Sequence, residues 1–229
     1  MNIVGFTKLT LVDFPNKVSA IVFTEGCNFR CPYCQNASIV LGKYPVYDEQ
    51  EIFDYLIKRK NILDGLCISG GEPLLQNDLK QFIKKVKALG YAVKIDTNGF
   101  MPTQLKQLIE ENLVDYVAMD IKNCLAKYPQ TVGKAQMQTE NILKSIDILK
   151  NSGIDYEFRT TLVKEFHNYD DMEQIGKLIA GEKHYYLQNF EESGDILQDG
   201  LHGFEPKELN EFKKIAEKYA SIVDIRNIE

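Results

Sequence analysis

Three cysteines lie close together in the chain, at Cys27, Cys31 and Cys34. Their spacing, C-x3-C-x2-C, lets thiolates from a single loop bind one face of a small metal cluster. Iron–sulfur clusters are usually held by four cysteines, so three ligands on a four-iron cluster would leave one iron open to another molecule. The alternative is a structural zinc site completed by Cys67, Cys124 or a histidine. It fits less well, because such sites need four ligands, usually in two short pairs.

Three further segments carry residues that could contact a ligand. They are Ser69–Pro73 (S-G-G-E-P), Asp96–Gly99 (D-T-N-G) and Met119–Lys122 (M-D-I-K). Glycines let a backbone approach a ligand closely, although each segment could also be a turn or a helix cap. Arg159 lies in a strand-like run and needs an anion there, which could be a ligand carboxylate or an ion pair with Asp96 or Asp120.

Strand-like runs alternate with segments of helical periodicity along the chain. The predicted strands are Val18–Thr24, Leu66–Ser69, Ala92–Thr97, Tyr116–Asp120, Asp155–Leu162 and His184–Gln188. The predicted helices are Asp48–Lys60, Asn77–Leu89, Thr103–Asn112, Met137–Asn151, Asp170–Ala180 and one that starts at Pro206. Asp48 with Glu51 and Asp170 with Glu173 have the spacing of helix caps, and Ile222–Ile225 is a candidate edge strand.

This alternation predicts an α/β fold of parallel strands with right-handed crossovers. Several strands are almost continuously apolar, which is typical of strands buried on both faces. A complete eight-unit barrel needs about 250 residues, and the chain has 229. We therefore expect a partial (β/α)6 barrel, forming one domain over residues 1–229. Ligand-binding residues should gather at the carboxyl ends of its strands.

Composition excludes several classes of protein. The net charge of −6 argues against a nucleic-acid-binding surface. The apolar runs are far shorter than the roughly 18 residues of a membrane span, and Met1–Thr10 lacks the pattern of a signal peptide. The odd number of cysteines, five, does not suit a disulfide framework. The sequence therefore predicts a cytoplasmic protein with neither nucleic acid nor membrane as partner.

The loop from Cys27 to Cys34 resembles the signature of the radical S-adenosylmethionine (SAM) superfamily, C-x3-C-x-aromatic-C, with Tyr33 as the aromatic residue. The resemblance implies a partial barrel of the radical SAM type and a 4Fe–4S cluster bound by Cys27, Cys31 and Cys34. It also implies that the open iron chelates SAM and that an electron from the cluster cleaves SAM to methionine and a deoxyadenosyl radical. The three cysteines are thus the expected metal-ligating and catalytic residues.

The other segments resemble superfamily motifs in the expected order. The G-G-E motif is similar to the one that holds the SAM amino group. The residues that we expect to contact SAM are Tyr33, Gln35, Gly70, Gly71, Glu72, Asp96, Thr97, Asn98, Asp120, Lys122 and Arg159.

A closer resemblance runs through nearly the whole chain. Leu11–Pro15 (L-V-D-F-P) and Val22–Cys34 resemble anaerobic ribonucleoside-triphosphate reductase activating proteins and, more broadly, glycyl radical enzyme activases. This implies hydrogen abstraction from a glycine of a partner enzyme, with anaerobic ribonucleotide reductase as the expected partner and a flavodoxin- or ferredoxin-type electron donor. It also implies a monovalent cation beside SAM, near Asp96, Thr97 and Asp120.

Two departures from the family pattern affect the adenosine end of the expected site. Gln35 stands where such proteins often have His, and Gln188 and Asn189 lie where the formate-lyase activator has a nearby His.

Two other interpretations stay open from sequence. One is a radical SAM reaction on another peptide or a small molecule, or on a pyruvate formate-lyase-like enzyme, because the motifs define the radical generator and not the substrate. The other is a non-catalytic iron–sulfur or zinc protein, which would not need the G-G-E, D-T-N-G and D-I-K segments. Of the remaining cysteines, Cys67 is expected in the core and Cys124 in a strand-end loop.

Overall fold

The computed structural model describes residues 1–226. Its strands are β1 (Ile3–Thr10), β2 (Ser19–Thr24), β3 (Gly65–Gly70), β4 (Ala92–Thr97), β5 (Tyr116–Asp120), β6 (Asp155–Leu162), β7 (Glu182–Asn189) and β8 (Ala220–Arg226). Its helices are α1 (Ala37–Val40), α2 (Glu49–Lys58), α3 (Leu79–Ala88), α4 (Pro102–Glu110), α5 (Tyr128–Thr131), α6 (Glu140–Lys150), α7 (Tyr169–Leu178) and α8 (Pro206–Ala216), with a 3-10 turn at Pro73–Leu75. The strands β1, β2, β3 and β4 are paired in that order, and so are β6, β7 and β8.

The chain folds into two compact units, each built from separate stretches of sequence. The first contains Met1–Asn28, Ser38–Thr97 and Thr103–Ala118. The second contains Phe29–Ala37, Asn98–Pro102 and Met119–Glu229, of which residues 227–229 lie outside the described part. The single domain over residues 1–229 stays a prediction.

In the first unit, β2, β3 and β4 are parallel, whereas β1 runs antiparallel to β2. Most residues of β2 and β3 are buried on both faces of these strands, as their sequences predict. The helices α2 and α3 bury their apolar stripes, and Phe53 of α2 packs on Phe82 of α3 with ring centroids 5.3 Å apart. The parallel pairing of β2 with β3 and of β3 with β4 places the carboxyl ends of the three strands at the same edge of the sheet.

In the second unit, β6, β7 and β8 are parallel. Phe158, Leu162, Tyr185 and Leu187 are fully buried in β6 and β7. These residues alternate along each strand, so the residues between them, which include Arg159, point to the opposite face of the sheet.

The predicted elements are all present, and the structure adds two short helices that were not predicted, α1 and α5. β1 was not predicted: most of its residues are half-buried or exposed, because it is antiparallel and lacks the continuous apolar run of the parallel strands. The prediction of the α7 cap was wrong, because Asn168 and Asp171, rather than Asp170 and Glu173, form the capping box. The candidate edge strand is present and longer, as β8.

The six predicted strands β2–β7 are each followed by helix, which confirms the (β/α)6 alternation. Within residues 1–226, no helix has the length and apolar character needed to cross a bilayer.

Candidate functional site

The loop that carries Cys27 follows β2 in the first unit and is fastened by backbone hydrogen bonds. Glu72 N donates to Gly26 O at 2.8 Å, Gly71 N to Thr24 O at 2.9 Å, and Gly26 N to Ile39 O at 3.2 Å. A Cβ atom on Gly71 would lie 1.8 Å from Gly26 O. Only glycine therefore fits at position 71, and the reason is the approach of the Cys27 loop itself.

Glu72 is fully buried in the same unit. Its Oε1 atom accepts hydrogen bonds from Leu74 N at 3.1 Å and from Thr97 Oγ1 at 2.8 Å. The first bond caps the 3-10 turn after β3, and the second links the G-G-E and D-T-N-G segments. The structure thus brings together the predicted residues Gly71, Glu72 and Thr97.

Asp96 forms a buried ion pair that the sequence analysis missed. Lys94, which is 2% exposed, donates from Nζ to Asp96 Oδ1. Ser69 Oγ donates to Asp96 Oδ2 at 3.1 Å, and Lys94 Nζ lies 3.8 Å from Cys67 Sγ. Cys67 is in the core, as predicted. The signal for the pair was present in the sequence, because residues i and i+2 of a strand share a face.

Cys31 and Cys34 lie on one turn of the second unit. Cys34 N donates to Cys31 O at 3.0 Å, and Gln198 N donates to Pro32 O at 3.0 Å. Gln35 Nε2 donates to Glu191 O at 2.7 Å. Burial raises the pKa of the Cys34 thiol, so its deprotonation needs a compensating charge, such as that of a bound metal.

Tyr33 lies beneath this turn and is 4% exposed. Its ring packs on Phe166 with centroids 5.7 Å apart, and its buried hydroxyl has no hydrogen-bond partner among the described residues. Burial raises the pKa of Tyr33 well above its ordinary value. The aromatic position of the motif therefore supports the cysteine turn from within.

Asp120, Lys122 and Arg159 form an ionic cluster in the second unit. Arg159 Nε lies 2.8 Å from Asp120 Oδ1, and Lys122 Nζ lies 3.0 Å from Asp120 Oδ2. Burial by itself would raise the pKa of Asp120, but the charges of Arg159 and Lys122 outweigh it and lower that pKa to about 2. The structure pairs Arg159 with Asp120, one of the two anions considered for it within the chain.

Asn98 and Cys124 have structural partners. Asn98 Oδ1 accepts from Phe100 N at 3.0 Å in a turn, and Gly99 in that turn has a φ of +73°. Cys124 is buried and its Sγ atom lies 3.5 Å from Oδ1 of Asp171, which belongs to the capping box of α7. Cys124 is therefore a buried loop thiol.

Replacing Asp120 with Asn should lower the free energy of unfolding at pH 7 by roughly 2 kcal/mol, because the pKa of Asp120 falls from 3.8 to about 2 on folding. A depressed pKa stabilises the fold above pH 3.8 and loses this effect as the pH falls toward 2. Urea unfolding of the cluster-free protein at pH 7 and pH 3 measures both quantities.

The control for this prediction is Glu211→Gln, which breaks an exposed pair with Lys214 and should change stability far less, because solvent screens exposed ion pairs. Equal stability of wild type and Asp120→Asn at pH 7 would contradict the prediction.

The donor set of the cysteine segment fits an iron–sulfur cluster. None of the five cysteines, all of which are described, forms a disulfide, and thiolates are the ligands that such clusters use. In the described part of the chain, no three His, Cys, Asp or Glu residues are grouped to hold a metal ion. The carboxylates implied for a monovalent cation fit that ion poorly, because Asp96 and Asp120 each have side-chain cations as partners.

Comparisons with known proteins agree with the motif. The model of the Radical SAM superfamily matches residues 21–179. The "Putative glycyl-radical enzyme activating enzyme MJ1227" of Methanocaldococcus jannaschii is 38% identical over 233 residues, covering 98% of this chain and 95% of that protein. The pyruvate formate-lyase-activating enzyme of Clostridium pasteurianum is 30% identical over 177 residues, covering 73% of this chain and 70% of that protein.

A solved structure supports the fold. The crystal structure of a domain of pyruvate-formate lyase-activating enzyme from Bacteroides vulgatus aligns with a TM-score of 0.58 at 18% sequence identity, covering 71% of this chain and 99% of that domain. The predicted fold, a partial barrel of the radical SAM type, is thereby confirmed. The chain belongs to the radical SAM superfamily and, within it, to the family of glycyl-radical enzyme activating enzymes.

Proposed function

We propose that this protein activates an anaerobic ribonucleotide reductase by abstracting a hydrogen atom from a glycine of that enzyme. Membership of the family implies a 4Fe–4S cluster, SAM and a glycyl radical enzyme as partner. The observation that carries the proposal is the C-x3-C-x-aromatic-C loop in a chain of which 98% aligns with a relative named for glycyl radical enzyme activation. The choice of reductase rests on the resemblance of Leu11–Pro15 and Val22–Cys34 to reductase-activating proteins.

In this proposal Cys27, Cys31 and Cys34 hold the cluster and leave one iron for SAM. When bound, the cluster supplies the electron that cleaves SAM into methionine and a deoxyadenosyl radical. A flavodoxin- or ferredoxin-type protein would deliver that electron. We place the reaction in the cytoplasm, because the cysteines must be thiolates and that compartment keeps thiols reduced.

The chain's own residues bind and orient SAM in this scheme. Glu72 offers a buried carboxylate for the SAM ammonium group, and the backbone at Gly70 and Gly71 lies in the same segment. Arg159 and Lys122, which both contact Asp120, are the cationic side chains that we expect to face the SAM carboxylate. Charge-assisted hydrogen bonds of this kind are the strong ones in a desolvated site.

The test is the appearance of a glycyl radical on the partner. The reduced, cluster-loaded protein, SAM and an anaerobic ribonucleotide reductase should give a doublet in electron paramagnetic resonance. The matched controls are the same mixture without SAM and the mixture with a reductase whose radical-bearing glycine is replaced by alanine. Neither control should give the doublet.

Activation of a pyruvate formate-lyase-like enzyme is the second candidate, favoured by the 30% identity to the formate-lyase-activating enzyme of Clostridium pasteurianum. A doublet on a formate-lyase and none on the reductase would select this candidate. SAM cleavage without a radical on either partner would contradict both and point to another peptide or a small molecule as substrate.

A further inference from the structure

The negative charge of Asp96 is already neutralised within the first unit. Lys94 and Asp96 are two residues apart on β4, so both side chains point to one face. Lys94 Nζ donates to Asp96 Oδ1, and Ser69 Oγ donates to Asp96 Oδ2 at 3.1 Å. Both carboxylate oxygens therefore accept a hydrogen bond from this chain.

Lys94 has no route to solvent that would relieve its charge. Its side chain is 2% exposed and that of Asp96 is 12% exposed. A buried ammonium is strongly unfavourable unless a carboxylate compensates it, so each member of the pair stabilises the charged form of the other. A monovalent cation on Asp96 would lie beside this ammonium and be repelled by it, and repulsion in a buried site is only weakly screened.

In the second unit, the carboxylate of Asp120 likewise has side-chain cations of this chain as partners. Arg159 Nε lies 2.8 Å from one of its oxygens, and Lys122 Nζ lies 3.0 Å from the other. Each oxygen of the Asp120 carboxylate thus has a cationic side chain as partner, and a further cation there would lie beside these positive charges.

We propose that this protein binds SAM without a monovalent cation, because Lys94 supplies the positive charge that a potassium or sodium ion would otherwise supply at Asp96. Lys94 is a positioning residue in this scheme: it acts on Asp96 and holds its carboxylate in place. The part of the inference that concerns SAM rests on the proposed function, whereas the pairing of Lys94 with Asp96 does not.

The test compares potassium chloride, sodium chloride and choline chloride at equal ionic strength. The full chain, loaded with its cluster, is titrated with SAM by calorimetry in each salt, and its thermal unfolding is followed in the same salts without SAM. The wild type should give the same dissociation constant and the same melting temperature in all three, because an ion that does not bind the native state does not stabilise it. Tighter SAM binding or a higher melting temperature in potassium or sodium would overturn the proposal.

The Lys94→Met variant should acquire the cation dependence that the wild type lacks. Removal of one partner of a buried pair leaves Asp96 uncompensated, so SAM affinity in choline should fall by roughly tenfold or more. Potassium or sodium should restore the affinity and raise the melting temperature. A folded Lys94→Met variant that behaves identically in the three salts would also overturn the proposal.

Two further variants control for indirect effects. Lys106→Met removes a lysine that is 59% exposed and makes only a surface pair with Glu110, and it should show no cation dependence. The double variant Lys94→Met with Asp96→Asn removes both charges and should melt at the same temperature in all salts. If Lys94→Met does not fold, the wild-type comparison still decides. If SAM does not bind in any salt, the proposed function fails, whereas the melting comparison still tests the role of Lys94.

Discussion

Replacing Cys31 with Ala is expected to remove the 4Fe–4S cluster and to abolish the reductive cleavage of SAM. Cys31 and Cys34 share one hydrogen-bonded turn, and a three-cysteine set has no ligand to lose if one iron must stay open for SAM. The same loss is expected for Cys27→Ala and Cys34→Ala. Iron and sulfide content and the visible absorption of the reconstituted protein measure the cluster, and the formation of deoxyadenosine measures SAM cleavage.

The other two cysteines provide the matched controls. Cys67 is buried on β3, near Lys94 of β4, and Cys124 is buried against Asp171 at the start of α7. Cys67→Ala and Cys124→Ala should therefore keep the iron content of the wild type. Loss of iron in Cys124→Ala would mean that a fourth cysteine ligates the cluster. This result would contradict the proposal that one iron is left open for SAM.

Gly71→Ala is expected to lower both cluster content and SAM affinity, because its added methyl group displaces the Cys27 loop. The Cβ atom would lie 1.8 Å from Gly26 O, and the other nearest atoms also belong to the backbone of Gly26. Because neither segment can rotate a side chain away, the loop must move or the strand end must distort. We expect a loss of about 3 kcal/mol in the free energy of unfolding, at the upper end of overpacking effects. Urea unfolding and iron analysis of the same preparation test this.

Gly181→Ala is the control that separates the effect of backbone strain from that of the steric clash expected in Gly71→Ala. Gly181 has a φ of +89°, and a Cβ atom there would have no neighbour within 4 Å. The left-handed conformation should cost about 1 kcal/mol without changing iron content or SAM affinity. If Gly71→Ala kept the cluster content and SAM affinity of the wild type, close approach of the two loops would not be what requires glycine at this position.

Buried parallel strands were the easiest elements to predict from sequence. The bounds predicted for β4, β5 and β6 agree with the structure, because strands covered on both faces need continuous apolar runs and end where polar residues begin. The antiparallel β1 lacks such a run. The cap of α7 was misassigned because Asn168, Asp170 and Asp171 all have side chains that can cap a helix. Asn168 is the one with an extended backbone, at φ −137° and ψ 179°.

The candidate site was predictable in its residue types but not in its pairings. The cysteine spacing and the G-G-E segment could be identified from sequence because one segment carries each motif. The partners of Asp96 and Asp120 depend on which neighbouring side chains reach them, and sequence left two anions open for Arg159. Lys94 was overlooked because a lysine inside an apolar strand is usually interpreted as a residue at the sheet surface.

The hydrogen bonds that join Thr24 to Gly71, and Gly26 to Glu72 and Ile39, also determine whether backbone entropy is lost during folding or during cluster binding. A loop that is ordered only by its ligand loses backbone entropy at the moment of binding, and that loss weakens the affinity. Here the backbone on the amino-terminal side of Cys27 is ordered by the packing of β2 and β3. The conformational entropy of this segment is therefore lost during folding. Cluster binding does not have to order the segment, so this entropy loss does not weaken the affinity for the cluster.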